Sequence, residues 1–407
     1  MDDVGRTSAG RSFRCISVKT SRRPARSLNR ARSNAGAGAA ATGLTAPLQQ
    51  VERTYVRERE RGRKWSYFAG CDYFRLSSHP VVVQALQRGL EQFGLNVAAS
   101  RKTTGNHELY GKLEAVLADF FGHAGAVLFS NGYMANLGAA QGLRGEFTHA
   151  LLDERAHSSL FEAARFLDCP VLEFPHRDAA AAATRARKCG RKARLVLLTD
   201  GLFAHSGSTA PLAEYARLLP RSAHLWVDDA HAAGVLGRSG RGTAEHEGVE
   251  LRRWIQTITL SKAFGAYGGA VLGSERCTNR IMQRSRLFAG NTPVPLPLAA
   301  ASLAALELVK GDSRLRRRLL FNASYVRAAL REQGWPVGEG PGPIIAIHPA
   351  STSAAQRLCR RLRAAGIHPP LINYLGGPGP GYFRFAIASE HSAQQLDNLV
   401  KAVGEGQ

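Results

Sequence analysis

From about residue 65 the chain alternates between two hydrophobic rhythms. Residues 80–93 and 109–121 repeat apolar positions at intervals of three and four, which predicts amphipathic helices. Between such stretches lie short unbroken apolar runs: Ala126-Val-Leu-Phe-Ser130, Ala150-Leu-Leu-Asp153, 195–199, Leu225-Trp-Val-Asp228 and 255–260. Strand-length apolar runs alternating with helices predict a buried, mainly parallel sheet with helices on both faces. Past Asn291-Thr-Pro-Val-Pro-Leu-Pro297, long helical patterns precede a compact α+β tail from about Ile344. The pattern therefore predicts an N-terminal segment over 51–95, a large α/β domain over 96–295 and a small α+β domain over 296–407. Residues 1–50 are rich in Arg, Ser, Ala and Gly without sustained periodicity, and are expected to form a disordered basic extension. Their composition also resembles an organelle transit peptide, against which the opening Met-Asp-Asp argues.

Composition narrows the function classes. The 407 residues are 44% hydrophobic and 21% charged, an ordinary globular balance that excludes collagen-like and coiled-coil readings. The apolar runs fall far short of the roughly 20 residues a membrane helix needs, so no membrane association is expected. The net charge of +22 suggests nucleic acid, but its distribution does not. Nine basic residues stand in the first fifty positions against Asp2 and Asp3, and the rest are scattered without a basic stripe interleaved with aromatics. The six cysteines form no Cys-x-x-Cys pair and the thirteen histidines show no ligand spacing. Neither a metal site nor a disulfide framework is expected, and a reducing cytoplasm fits best.

The candidate chemistry lies at predicted strand ends, where open α/β sheets bind ligands. Leu225-Trp-Val-Asp228-Asp229-Ala-His231 ends one strand with two carboxylates and a histidine, and Ile258-Thr259-Leu-Ser261-Lys262-Ala-Phe-Gly265 ends another with a lysine among apolar and small residues. Ser130-Asn-Gly132-Tyr133 is a strand-to-helix turn whose N–H groups can face an anion. Each also has a bland reading. Lys262 alone is a solvated loop lysine, the Asp-Asp pair caps a turn, Gly132 starts a helix, and His157 is a cap or surface residue. Together, an acid, a lysine and an anion cradle suit pyridoxal 5′-phosphate (PLP), which needs a lysine for its aldehyde, a carboxylate on its ring nitrogen and donors for its phosphate.

The conjunction also resembles a known family. Val227-Asp-Asp-Ala-His231-Ala-Ala-Gly-Val-Leu-Gly237, then Gly240-Arg-Gly242, with Thr259-Leu-Ser-Lys262-Ala-Phe-Gly265, is similar to the α-oxoamine synthases, PLP-dependent acyltransferases of the aspartate aminotransferase fold (fold type I). Further matches are Ser100-Arg-Lys-Thr-Thr-Gly-Asn-His107, Phe129-Ser-Asn-Gly-Tyr133-Met-Ala-Asn136 and Thr209-Ala-Pro-Leu-Ala213. The likeness runs from about Tyr67 to the C-terminus. It implies a large domain with a mainly parallel seven-stranded sheet and a smaller C-terminal domain.

The resemblance also implies roles. Lys262 binds PLP covalently and moves the substrate α-proton, Asp228 pairs with the pyridinium nitrogen, His231 contacts the ring oxygen, and His157 stacks on the ring. Gly132, Tyr133 and Thr259 surround the phosphate or ring, and Asn291-Thr292 reaches the phosphate of a partner subunit, which implies a homodimer with shared sites. Arg384, in Tyr382-Phe-Arg-Phe-Ala-Ile, clamps the amino-acid carboxylate; an arginine between two phenylalanines on a strand independently invites a bidentate anion. The implied reaction condenses a small amino acid with an acyl thioester, on CoA or an acyl carrier protein, to an α-aminoketone with loss of carbon dioxide. An aminotransferase on the same fold is the alternative.

Three departures bear on the acyl half. Cys71 replaces an asparagine linked to substrate handling, Leu95-Asn-Val-Ala-Ala-Ser-Arg101 replaces a Gly-Ser-rich segment, and Ala204 stands where a serine is usual. The basic segment 57–64 offers a surface for an acidic carrier or the CoA phosphates, but is expected to be a solvated charged helix.

Overall fold

In a computed structural model of the chain, the described residues are 48–58, 62–250, 253–372 and 381–404. Three short strands, β1 (Leu48–Glu52), β2 (Tyr55–Glu58) and β3 (Lys64–Tyr67), form an antiparallel meander. This corrects the charged helix expected over 57–64 at its described residues, since Arg57 and Glu58 end β2 and Lys64 opens β3. Val56 and Trp65 pair across β2 and β3 and are both buried, and this cross-strand burial holds the flanking charged residues in strands. The disordered extension expected over residues 1–50 lies outside the described residues up to position 47.

The apolar runs form the central sheet of β4 (Gly125–Phe129), β5 (His149–Asp153), β6 (Val171–Phe174), β7 (Leu195–Asp200), β8 (His224–Asp228), β9 (Trp254–Thr259) and β10 (Gly269–Gly273), in the order β4-β10-β9-β8-β7-β5-β6. Six strands are parallel, and β10 runs antiparallel between β4 and β9. The periodicity did not reveal β6, an edge strand with one fully buried residue, or β10, a three-residue apolar run between glycines. Because the six strands point the same way, their carboxyl ends gather Ser130, Asp153, Asp200, Asp228 and Thr259 at one pole of the sheet.

The helices begin and end where local chemistry dictates. His79 caps the helix Pro80–Phe93, whose first residue is a proline with φ suited to that position. His107 caps Glu108–Phe121, and Gly122, at φ 77°, ends it in the left-handed region. The helix Gly132–Gly142 lies close over the sheet because a Cβ at Gly138 would meet Phe129 Cε1 at 2.1 Å. Gly138→Ala gains at most about 1 kcal/mol of helix propensity, while overpacking the buried Phe129 ring costs about 1–3 kcal/mol. A net loss of stability is therefore expected, read as a lower urea midpoint at unchanged slope.

Beyond the sheet, β11 (Ile344–Ile347), β12 (Ile367–His368), β13 (Leu371–Ile372) and β14 (Tyr382–Ala386) complete the tail. A three-stranded sheet has the order β11-β14-β13, while β12 joins β3 in parallel. The smaller core, around Leu330, Ile345, Phe383, Phe385 and Leu399, takes in Phe68 from the start of the chain. The segment 51–95 thus divides. Its strands join the C-terminal part, and its helix Pro80–Phe93 packs on Leu296–Gly311, where a Cβ at Gly89 would come within 2.8 Å of Pro297 Cα.

Candidate active site

The carboxyl pole holds a cavity of about 290 Å³ lined by Gly132, Tyr133, His157, Asp228, His231, Thr259 and Lys262, seven of the residues singled out from sequence. Asp228, at the end of β8, is 7% exposed. Its Oδ2 accepts Asn136 Nδ2 at 2.6 Å and its Oδ1 accepts Ala230 N–H at 2.9 Å. These two donors fix the carboxylate's direction. The capping reading of this aspartate holds for one oxygen only; the other belongs to a buried side-chain pair.

Asp229, its neighbour, has a different fate. It is fully buried, its Oδ1 accepts the Thr243 hydroxyl at 2.6 Å, and its Oδ2 accepts Thr243 N–H at 3.2 Å and Gln256 Nε2 at 2.7 Å. Burial raises its pKa to about 6 against those hydrogen bonds. A carboxyl with a raised folded pKa contributes stability below its unfolded pKa of about 4 and loses it as pH rises through about 6. In Asp229→Asn the amide can donate to Thr243 Oγ1. Its unfolding free energy relative to the native chain is therefore expected to improve by roughly 2–3 kcal/mol between about pH 4 and pH 7, as checked by urea titrations across that range.

Lys262 is half-buried on the turn after β9 and forms no salt bridge among the described residues. Burial lowers its pKa, and the nearby charges of Cys71, Asp228 and Asp200 oppose that shift. A lysine moved toward neutrality is a better nucleophile and base. His231 is 8% exposed and shares a 2.7 Å hydrogen bond with the buried Tyr73 hydroxyl. Burial, then the charge of Lys262, holds the imidazole well below its usual pKa.

His157 serves two ends. Its Nδ1 accepts Ser159 N–H at 3.3 Å, capping the helix Ser158–Phe166, and lies 2.8 Å from Ser159 Oγ. Its ring also reaches the cavity, 6.0 Å from Tyr133 in an edge-on pair. Although the side chain is open to solvent there, the surrounding protein still depresses its pKa, with Asp228 opposing and Lys262 reinforcing the shift.

The anion end is built by close approach. Asn131 caps the helix Gly132–Gly142, and a Cβ at Gly132 would stand 3.0 Å from Thr259 Cβ. A Cβ at Gly269 would meet Asn131 C at 2.4 Å, so both chains come within backbone distance. The first turn of an eleven-residue helix presents N–H donors beside Thr259, whose hydroxyl donates to Gly268 O at 3.0 Å.

Sequence reading missed Asp200, Asn136, Ser159 and Tyr73. Asp200 sits beside Asp228 in register on β7 and accepts His157 N–H at 3.1 Å. Burial, then the charge of Asp228, pushes its pKa well up. Asn136 is fully buried, and its Nδ2 joins Ser159 Oγ (2.9 Å) to Asp228. The signal for it was its place one helical turn inside the quoted Phe129-to-Asn136 motif, facing the same way as Gly132 and Tyr133.

Cys71 and Arg384 flank the cavity without lining it; both act electrostatically on Lys262, and Arg384 also on His231. Asn291 and Thr292, after the helix Arg286–Ala289, stand apart from this cavity within one chain.

The donor set fits PLP: a fixed buried carboxylate, a lysine of lowered pKa and an N–H-lined turn face one cavity, and the buried Asn136 Oδ1 has no protein partner. The comparisons agree. The model of the aminotransferase class I and II family matches residues 71–403. An 8-amino-7-oxononanoate synthase of Methylococcus capsulatus is 35% identical over 83% of this chain and 88% of its own length. One of Trichlorobacter lovleyi is 34% identical over 89% and 93%. The structure of a serine palmitoyltransferase from S. paucimobilis with bound PLP and myriocin shares the fold, with a TM-score of 0.83 at 24% identity over 91% of this chain and 95% of that one. With an Asp-Asp-Ala-His strand end and a lysine turn meeting in one PLP-shaped cavity, the chain belongs to the α-oxoamine synthases, the PLP-dependent acyltransferases within the aminotransferase class I and II family.

Proposed function

We propose that this chain condenses a small amino acid with an acyl thioester to an α-aminoketone, releasing carbon dioxide and free thiol. The observation that carries the reading is the convergence of Lys262, Asp228 and His231 on one cavity. When bound, PLP supplies the electron sink for charge developing at the amino-acid α-carbon. The protein's part is to hold and orient. Lys262 Nζ anchors the cofactor and transfers the α-proton; the Asp228 carboxylate, aimed by Asn136, neutralises the ring nitrogen. His231, braced by Tyr73, donates toward the ring oxygen, and the His157 ring covers one face. Thr259 Oγ1 and the N–H groups opening the helix Gly132–Gly142 take the phosphate. Arg384, on β14, receives the substrate carboxylate, and Cys71 lies at the substrate end.

Asn291 and Thr292 face the phosphate of a second subunit in this reading, which makes the working form a homodimer in the cytoplasm. No helix among the described residues is long and apolar enough to cross a membrane. The acyl donor is a CoA or carrier-protein thioester. Within the β1–β3 meander, Arg57 and Lys64 share Glu52 and Arg53 pairs with Glu390, so these three offer little to an acidic carrier.

The test is an absorbance titration of PLP-loaded protein with glycine, L-alanine and L-serine, with and without an acyl-CoA. Support is α-proton exchange accelerated by the thioester, together with carbon dioxide and free thiol. Conversion of the cofactor to pyridoxamine phosphate with release of a keto acid, independent of thioester, would establish the aminotransferase instead.

A further inference from the structure

At the opposite pole of the sheet lies a second cleft of about 560 Å³, roomier than the cofactor cavity and within the range of small-molecule sites. Four arginines, Arg194, Arg253, Arg276 and Arg280, face one carboxylate, Glu146. Arg280 and Arg276 both reach that carboxylate, Arg276 at 3.8 Å. Arg194 is held by backbone instead: Nε donates to Glu146 O at 2.8 Å and Nη2 to Gly145 O at 3.4 Å. Its guanidinium is thus held by two carbonyls, and it makes no ion pair among the described residues. Arg253 makes no ion pair among the described residues and stands close enough to His224 to oppose protonation of that ring.

The lining also carries two ring pairs, one tilted and one edge-on. Trp254 and His123 lie 4.6 Å apart between ring centroids, and Phe147 and His224 lie 5.2 Å apart. Burial brings His123 down to about 4, so it is an uncharged ring surface at neutral pH. Oriented guanidinium groups recognise phosphate and carboxylate through paired N–H donors, and they stack on planar rings as aromatic side chains do.

We propose that this cleft binds a nucleotide-sized aromatic anion, with its acidic group on Arg194 and Arg253 and its ring against the Trp254–His123 and Phe147–His224 pairs. No residue of the cleft lines the cofactor cavity, so the two sites are separable. The probe is AMP, titrated calorimetrically at low salt into the PLP-saturated enzyme, with adenosine as the uncharged comparison. Saturable AMP binding is expected, weakened at least about tenfold by Arg253→Glu and by Arg194→Ala, as loss of a charged hydrogen bond predicts. Adenosine should bind more weakly by a similar factor, and the cofactor's visible band should not change in either variant. Arg253 is exposed, so its substitution leaves the core untouched even if Arg194→Ala disturbs its loop. The proposal is overturned by absence of saturable binding at millimolar AMP, by equal affinity in the Arg253 variant, by adenosine binding as tightly as AMP, or by release of PLP during the titration, which would place AMP in the cofactor cavity.

Discussion

Lys262→Ala is expected to remove the visible band of lysine-bound PLP and to lower turnover by about 10²–10⁴-fold from the proton-transfer role alone. The expectation rests on position. The side chain lines the cavity, has no salt-bridge partner among the described residues, and has its pKa lowered chiefly by burial. Nothing structural leans on it, so circular dichroism and the urea midpoint should stay near the native values while catalysis collapses. Alanine leaves neither an amine to hold the cofactor nor a base of matched pKa beside the α-carbon. A variant that keeps its visible band and turns over within tenfold of the native enzyme would remove Lys262 from the site altogether.

Asp228→Asn carries the second-largest effect, about 10²-fold in kcat, the worth of a charged hydrogen bond at about 3 kcal/mol. The substitution nearly preserves volume, so the loss is electrostatic. In the proposed reading it removes the negative charge facing the ring nitrogen. It also sets an amide against two donors, Asn136 Nδ2 at 2.6 Å and Ala230 N–H at 2.9 Å, one of which must go unpaired. Asp200 cannot substitute, because burial beside Asp228 favours its neutral form. The informative comparison is Asp229→Asn, one residue along the chain. It alters the pH dependence of stability described above and should keep kcat within a few-fold, since the Asp229 carboxylate accepts from Thr243 and Gln256 and does not line the cavity. Equal losses in the two variants would mean that Asp228 acts through folding rather than through the cofactor, and steady-state kinetics with urea melts on both variants decides this.

Much of this molecule was legible before any coordinates. The helices Pro80–Phe93 and Glu108–Phe121 and five strands of the central sheet emerged from apolar spacing, because burial of one face imposes a period on neighbouring residues. Seven cavity residues could be named because they sit at strand ends in short contiguous motifs. The stretch 57–64 misled because its run of charges carries no sign of the pairing between neighbouring strands that buries Val56 and Trp65.

Other features were decided by the tertiary structure alone. Asp228 and Asp229 are chemically identical neighbours, and only strand geometry turns one toward the cavity and the other into the core. Tyr73 meets His231 across 158 residues, and Asn136 meets Asp228 across 92. The insertion of β10 against the direction of its neighbours likewise depends on a pairing between distant segments. Periodicity records which face of an element is buried. It carries no signal for which remote polar group completes a hydrogen bond, because that choice is made only when the sheet assembles and each buried donor must find its acceptor.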